Sequence, residues 1–177
     1  MSTTWIALLR GVNVGRNKRI AMADLRALLE ALGYADVRTH LNSGNAIFST
    51  DEPDIARIER DISASITREL GMDVATLVRA ASDLATVVDA NPFPARGVHA
   101  RDLHVTFSAT AIPADRIGAI DRGVFAPDEF AVGERVIYMR LPNGLSGSLL
   151  SDWGRLLGLR TTTRNWNTTT RLRDLAG

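Results

Sequence analysis

The chain has no cysteine, one lysine, three histidines and only 6% aromatic residues, and each shortage narrows what it can be. Without cysteine there are no disulfides, no thiolate nucleophile and no cysteine metal site, which fits a reducing compartment. Long apolar runs are missing too. Arg10 interrupts Trp5-Ile6-Ala7-Leu8-Leu9 before a signal core forms. No stretch approaches the roughly 20 apolar residues of a membrane span, so a cytoplasmic protein with no membrane partner is expected. His40, His99 and His104 show no metal-ligand spacing and the acidic residues are scattered, so neither a metal nor a cofactor is expected. What remains is an ordinary soluble composition, 45% apolar and 23% charged over 177 residues, enough for one domain or two small ones.

The net charge of +1 conceals an uneven distribution. Residues 1–50 carry six cations and three anions, and residues 153–177 carry five and one, whereas the two segments between them are acidic. Basic ends that met in the fold would form a patch that attracts anions. The basic side chains are twenty arginines and one lysine, and that lysine, Lys18, lies in the most unusual loop of the sequence. An ammonium is a compact point charge with freely turning donors, where a guanidinium is a rigid fork.

That loop is Arg10-Gly11-Val12-Asn13-Val14-Gly15-Arg16-Asn17-Lys18-Arg19. A strand, then glycines, then clustered cations before a helix is a backbone suited to an anion, because converging N–H groups and a helix N-terminus both favour negative charge. Arg10, Lys18 and Arg19 would supply charge-assisted bonds and Asn13 a directional amide, with Gly11 and Gly15 letting the backbone approach. Neither G-x-x-x-x-G-K-[ST] nor G-x-G-x-x-G is present, so no nucleotide-binding signature names a reaction. A tight crossover relieved by glycines would have the same sequence. The second polar turn, Asn42-Ser43-Gly44-Asn45, is a hairpin on turn chemistry alone, or a rim of amides and a hydroxyl beside the first loop. The third, Arg160 to Arg171, concentrates Arg164, Asn165, Trp166, Asn167 and threonines. These residues would bind phosphate and stack a base, or would cap a helix and anchor it in the core. Ser43 lacks a G-x-S-x-G elbow, and no general base stands out.

Around these turns the periodicities give strands at Trp5–Arg10, Val37–Leu41, Ala46–Ser49 and Val74–Val78. One helix carries Met22, Leu25, Leu28, Leu29 and Leu32; another, opened by Pro53, carries Ile55, Ile58, Ile62, Ile66 and Leu70 and is closed by Gly71. The order β-α-β-β-α-β is that of a ferredoxin-like unit. Beyond a short helix from Ser82 and the turn Asn91-Pro92-Phe93-Pro94, the order β-α-β-β-α recurs: strands at Leu103–Phe107, Phe130–Val132 and Val136–Leu141, with helices at Pro113–Ile120 and Ser148–Gly158. A last helix runs from Trp166 to Ala176. The fold class expected is α+β, two ferredoxin-like α/β-plait halves in tandem, residues 1–80 and 81–177, with an extra C-terminal helix.

Leu8-Leu9-Arg10-Gly11-Val12-Asn13-Val14-Gly15, the helix opening at Lys18 to Leu28, Ser43-Gly44-Asn45 and Thr163-Arg164-Asn165-Trp166-Asn167-Thr168 occur in this order. Together they resemble the bacterial domain of unknown function 1697 family, over nearly the whole chain. The resemblance implies an α+β protein with ferredoxin-like halves and no established biochemical activity. Asn42 stands where relatives more often carry Gln, and His40 where Tyr is common, which makes His40 a poor candidate for a shared base. The function expected is binding of a small anionic ligand, phosphate-bearing or nucleotide-like, at the Arg10–Arg19 loop. Nucleic-acid binding, phosphoester-directed catalysis and a protein–protein adaptor role are the alternatives.

Overall fold

The structure, a computed structural model, describes residues 1–16 and 18–177. It is a mixed α+β chain with two four-stranded antiparallel sheets, each accompanied by helices. The chain divides into two compact units, Met1–Ala85 with Leu172–Gly177, and Thr86–Arg171.

The first unit runs β1 (Thr3–Leu9), α1 (Met22–Ala31), β2 (Ala35–His40), β3 (Asn45–Thr50), α2 (Ile55–Leu70) and β4 (Thr76–Ala80), with sheet order β2-β3-β1-β4. Ile58, Ile62 and Ile66 recur every fourth residue on α2 and are fully buried. They pack with Leu25, Leu28 and Leu29 of α1 against Trp5, Ala7, Leu9, Phe48 and Val78 on one face of the sheet. Each such side chain contributes on the order of 1.5–3 kcal/mol by leaving water. Tyr34 stacks on Phe48 at 4.6 Å between ring centroids.

The ends of α2 follow from its sequence. The helix opens one residue after Pro53, with Asp54 as N-cap: its carboxylate accepts from the Ala56 and Arg57 N–H groups at 2.9 and 3.3 Å. Gly71 closes the helix in the left-handed region at φ 64°. Because β4 is an edge strand, its outward N–H groups lack ladder partners. Glu59, on α2 and 5% exposed, accepts the Val78 N–H at 2.9 Å and so covers part of that edge.

The second unit contains β5 (Leu103–Ser108), α4 (Ala114–Gly118), β6 (Glu129–Val132), β7 (Val136–Arg140), α5 (Trp153–Leu157) and β8 (Thr161–Asn165), in the order β6-β7-β5-β8. The helix α3 (Ala81–Asp89) precedes β5, and α6 (Trp166–Ala176) follows β8. Three sequence expectations are corrected here. The helix expected over Ser148–Gly158 is broken: Ser148 caps a 3-10 turn at Leu149–Ser151, and Asp152 separately caps α5 by accepting the Arg155 N–H. Two capping side chains four residues apart each stop the preceding turn and start another. The helix expected to reach Ile120 ends at Gly118. Thr161–Asn165, read as a polar turn, is a strand paired with β5, where Thr163 and Thr106 share a 2.7 Å hydrogen bond across the ladder. Three β-branched threonines favour strand geometry without an apolar alternation to announce it.

Both tyrosines are held un-ionised by burial. The pKa values of Tyr34 and Tyr138 are raised from 10.0 to about 12, chiefly by desolvation, with the Asp61 and Glu52 carboxylates adding to the effect at Tyr34. The Tyr138 hydroxyl also donates to the Val87 carbonyl at 2.9 Å. A phenol whose pKa is higher folded than unfolded stabilises the fold fully below pH 10, and that stability is lost between pH 10 and about 12. An ultraviolet titration of the native protein is expected to show no tyrosinate near pH 10 and ionisation together with unfolding above it; a normal titration in the folded state would contradict this packing.

Candidate functional site

β1 is an inner strand, so the chain leaving its C-terminal end is flanked on both sides. The Leu9 N–H donates to the Gly44 carbonyl at 2.9 Å and the Arg10 N–H to the Ala75 carbonyl at 2.8 Å. The β1–α1 loop and the β2–β3 turn therefore share one end of the sheet. That turn comprises Leu41 to Gly44, one residue earlier than its polar sequence alone indicates.

Asn13 joins the two. Its backbone N–H donates to the Lys18 carbonyl at 3.0 Å, drawing the loop closed. Its side-chain Oδ1 accepts the Ile20 N–H at 2.9 Å, while Nδ2 donates to the Ile20 carbonyl at 2.8 Å and to the Asn42 carbonyl at 2.5 Å. The side chain behaves as one rung of a ladder between the loop's return limb and the hairpin. Both amide hydrogens are used inside the protein.

Gly44 completes the junction. It lies at φ 75°, and a Cβ there would sit 2.3 Å from Val12 Cγ2 and 2.8 Å from Leu9 Cβ, closer than any side chain tolerates. Asn45, fully buried, donates to the His40 carbonyl at 3.0 Å and to Ser43 Oγ at 2.9 Å, which fixes the turn from within.

The cations lie outside this junction. Lys18, at φ 51°, donates from Nζ to the Asp73 carbonyl at 2.6 Å, and Arg19 donates from Nη2 to the Gly15 carbonyl at 3.1 Å. Arg10, Gly11, Gly15 and Arg16 are exposed, and Asn17 lies outside the described residues. Among the described residues, Arg16, Lys18 and Arg19 have no carboxylate partner within ion-pair distance.

Between loop, hairpin and helix lies an open depression of about 530 Å³, lined by Asn13, Arg19, Ile20, Ala21, Met22 and Asn42. Here α1 begins. Ala21 occupies the N-cap position and supplies no side-chain acceptor. The first-turn N–H groups thus have no cap of the kind Asp54 gives α2. Ile20, Ala21 and Met22 are not among the residues the sequence singled out. The signal for them was the absence of Ser, Thr, Asp or Asn before an otherwise clear helix.

Arg164, Asn165, Trp166 and Asn167 belong to the second unit. Arg164 is 9% exposed and donates to Thr162 Oγ1 at 2.8 Å and the Thr163 carbonyl at 2.9 Å; burial lowers its pKa to about 10. Asn165 Oδ1 accepts the Thr168 N–H at 2.8 Å and so caps α6, and the Trp166 ring is buried. Asn165 and Asn167 are exposed, and of the two it is Asn165 whose side chain caps the helix. Among the described residues, no three of the His, Asp and Glu side chains gather in a way that would hold a metal ion.

The loop, the hairpin and β3 fall within residues 2–138, which match the family model described as a protein of unknown function (DUF1697). The chain belongs to the DUF1697 family. Its fold is similar to that of the conserved bacterial protein SP0830 from Streptococcus pneumoniae, with a TM-score of 0.78 and 17% identity over 100% of both chains. At that identity the likeness shows a shared fold. No curated protein matches the chain.

Gly44→Ala is expected to lower stability by at least about 2 kcal/mol, from steric overlap added to an unfavourable dihedral. Urea unfolding measures this, and a loss below about 0.5 kcal/mol would show that the loop and hairpin are not tightly apposed.

Proposed function

We propose that this DUF1697 protein binds a small anion, phosphate-bearing or nucleotide-like, in the depression between Arg19, Asn42 and the start of α1. The observation that carries the reading is the uncapped first turn of α1 opening onto a depression that an exposed guanidinium also lines. Free N–H groups at a helix start and the positive end of its dipole favour an anionic oxygen. A neighbouring guanidinium adds charge-assisted bonds. Asn13 then holds the walls in place and does not itself touch the ligand. Arg10, Lys18 and the backbone at Gly11 and Gly15 contribute positive potential at the same end. Each half is read as a ferredoxin-like plait, residues 1–80 and 81–177, with the matching sheet orders β2-β3-β1-β4 and β6-β7-β5-β8 in support.

Nucleic acid has less behind it. Of the ten aromatic residues, all but Phe125 are buried, which removes the stacking surface that single-stranded nucleic acid needs. Among the described residues no carboxylate or imidazole lines the depression, Asp24 of the first turn of α1 lying outside its lining, which favours binding over turnover.

Thermal unfolding with phosphate, sulfate, nucleotides or phosphosugars, at low and high salt, tests the proposal. A ligand at about 100 times its dissociation constant stabilises the fold by roughly 2.7 kcal/mol. For a chain of this size that is a rise on the order of 5–10 °C. The shift is expected to survive moderate salt and to vanish in Arg19→Ala. No shift with any of these anions, or an unchanged shift in Arg19→Ala, would overturn the assignment.

A further inference from the structure

Val14 and Leu41 are held out in water at the end of the first sheet that carries the loop, 72% and 58% exposed. Each flanks the junction already described: Val14 follows Asn13, Leu41 precedes Asn42, and the Asn13 amide donates to the Asn42 carbonyl. Leu41 also sits at φ 57°, a left-handed conformation that is sterically unfavourable for leucine. Folding gains little from an aliphatic side chain that is both strained and solvated, so a role at an interface accounts for it better than packing does.

The chemistry around the two tips indicates the partner. Residues 10–23 and 37–50 contain no acidic side chain, and Arg10, Arg16, Lys18 and Arg19 are all exposed there, outnumbering the exposed Asp73, whose carbonyl accepts from Lys18 Nζ. Arg16 and Lys18 have no carboxylate partner among the described residues. Such a surface is complementary to dense negative charge with an apolar layer beneath it. Two aliphatic tips on separate turns enter a deformable layer without needing matched pockets. A nucleic acid would instead call for exposed aromatic residues, and this end of the sheet has none.

We propose that the paired turns dock on an anionic lipid bilayer, with Val14 and Leu41 entering the boundary between headgroups and acyl chains and Arg10, Arg16 and Lys18 meeting lipid phosphates. This goes beyond the small-anion reading and uses side chains that do not line the depression. It also differs from the sequence expectation of no membrane partner, which rested on span length. No helix of the described residues is long and apolar enough to cross a membrane, and docking of this kind requires none.

Co-sedimentation with vesicles of equimolar phosphatidylcholine and phosphatidylglycerol, against pure phosphatidylcholine, tests the proposal. Binding is expected only to the anionic vesicles, weakening as salt rises, with Arg16→Ala reducing affinity by about fivefold, the effect of one cation near a charged surface. The double variant Val14→Ser with Leu41→Asn, which removes both apolar tips without adding charge, is expected to lose vesicle binding yet keep any thermal shift with inorganic phosphate, which separates docking from the anion site. Circular dichroism of that variant verifies its fold. Three results would each overturn the proposal: no sedimentation with anionic vesicles, binding unchanged in the double variant, or tighter binding to an oligonucleotide at the same salt that the double variant also abolishes.

Discussion

The arrangement at the end of the first sheet depends on one side chain. Asn13 meets Ile20 through both its carbonyl and its amide, and its second amide hydrogen reaches Asn42 across the gap to the hairpin. Without those bonds the ten residues between β1 and Ile20 would be tied down mainly at their root, where Leu9 and Arg10 bond to Gly44 and Ala75. With them, the loop, the hairpin and the start of α1 form one piece. This half-buried set of bonds matters more for position than for net energy, because one side chain ties three backbone groups of two separate turns together.

A division of labour follows among the polar residues. Amides and hydroxyls that look ligand-directed in the sequence are spent on construction: Asn13 closes the loop, Asn45 and Ser43 fix the hairpin, and Asn165 caps α6. The cations are exposed, with Lys18 and Arg19 each bonding one backbone carbonyl, and the first turn of α1 has no side-chain cap. Short polar side chains satisfy nearby backbone groups with little entropy loss, whereas long basic ones reach water easily. The contrast with α2 is informative, since the same unit supplies a full aspartate cap where nothing else is needed.

Much of the first unit was legible in the sequence. The spacing of Ile58, Ile62 and Ile66, the leucines of α1 and the glycine at position 71 gave the elements and their order. That the loop and the hairpin share a sheet end was not legible, since it depends on β1 lying between β3 and β4. Nor was β8 legible, because its buried residues are threonines and an arginine in place of an apolar alternation. The break between Leu149–Ser151 and α5 was hidden for a different reason: Leu149, Leu150, Trp153, Leu156 and Leu157 keep helical spacing although two capping residues interrupt the backbone. At the candidate site, the sequence indicated the loop and the sign of its charge. The role of Asn13 emerged only from its partners, seven and twenty-nine residues away.

Amide hydrogen exchange at Ile20, in the native protein and in Asn13→Ala, tests the central claim most directly. The Ile20 N–H donates to Asn13 Oδ1, so removing that acceptor should release it while the strands of the first sheet stay protected. The account predicts at least about tenfold faster exchange at Ile20, equivalent to roughly 1.4 kcal/mol, with β1 and β3 unchanged. Equal exchange at Ile20 in the two proteins would contradict it, and so would an equal loss of protection across the whole sheet.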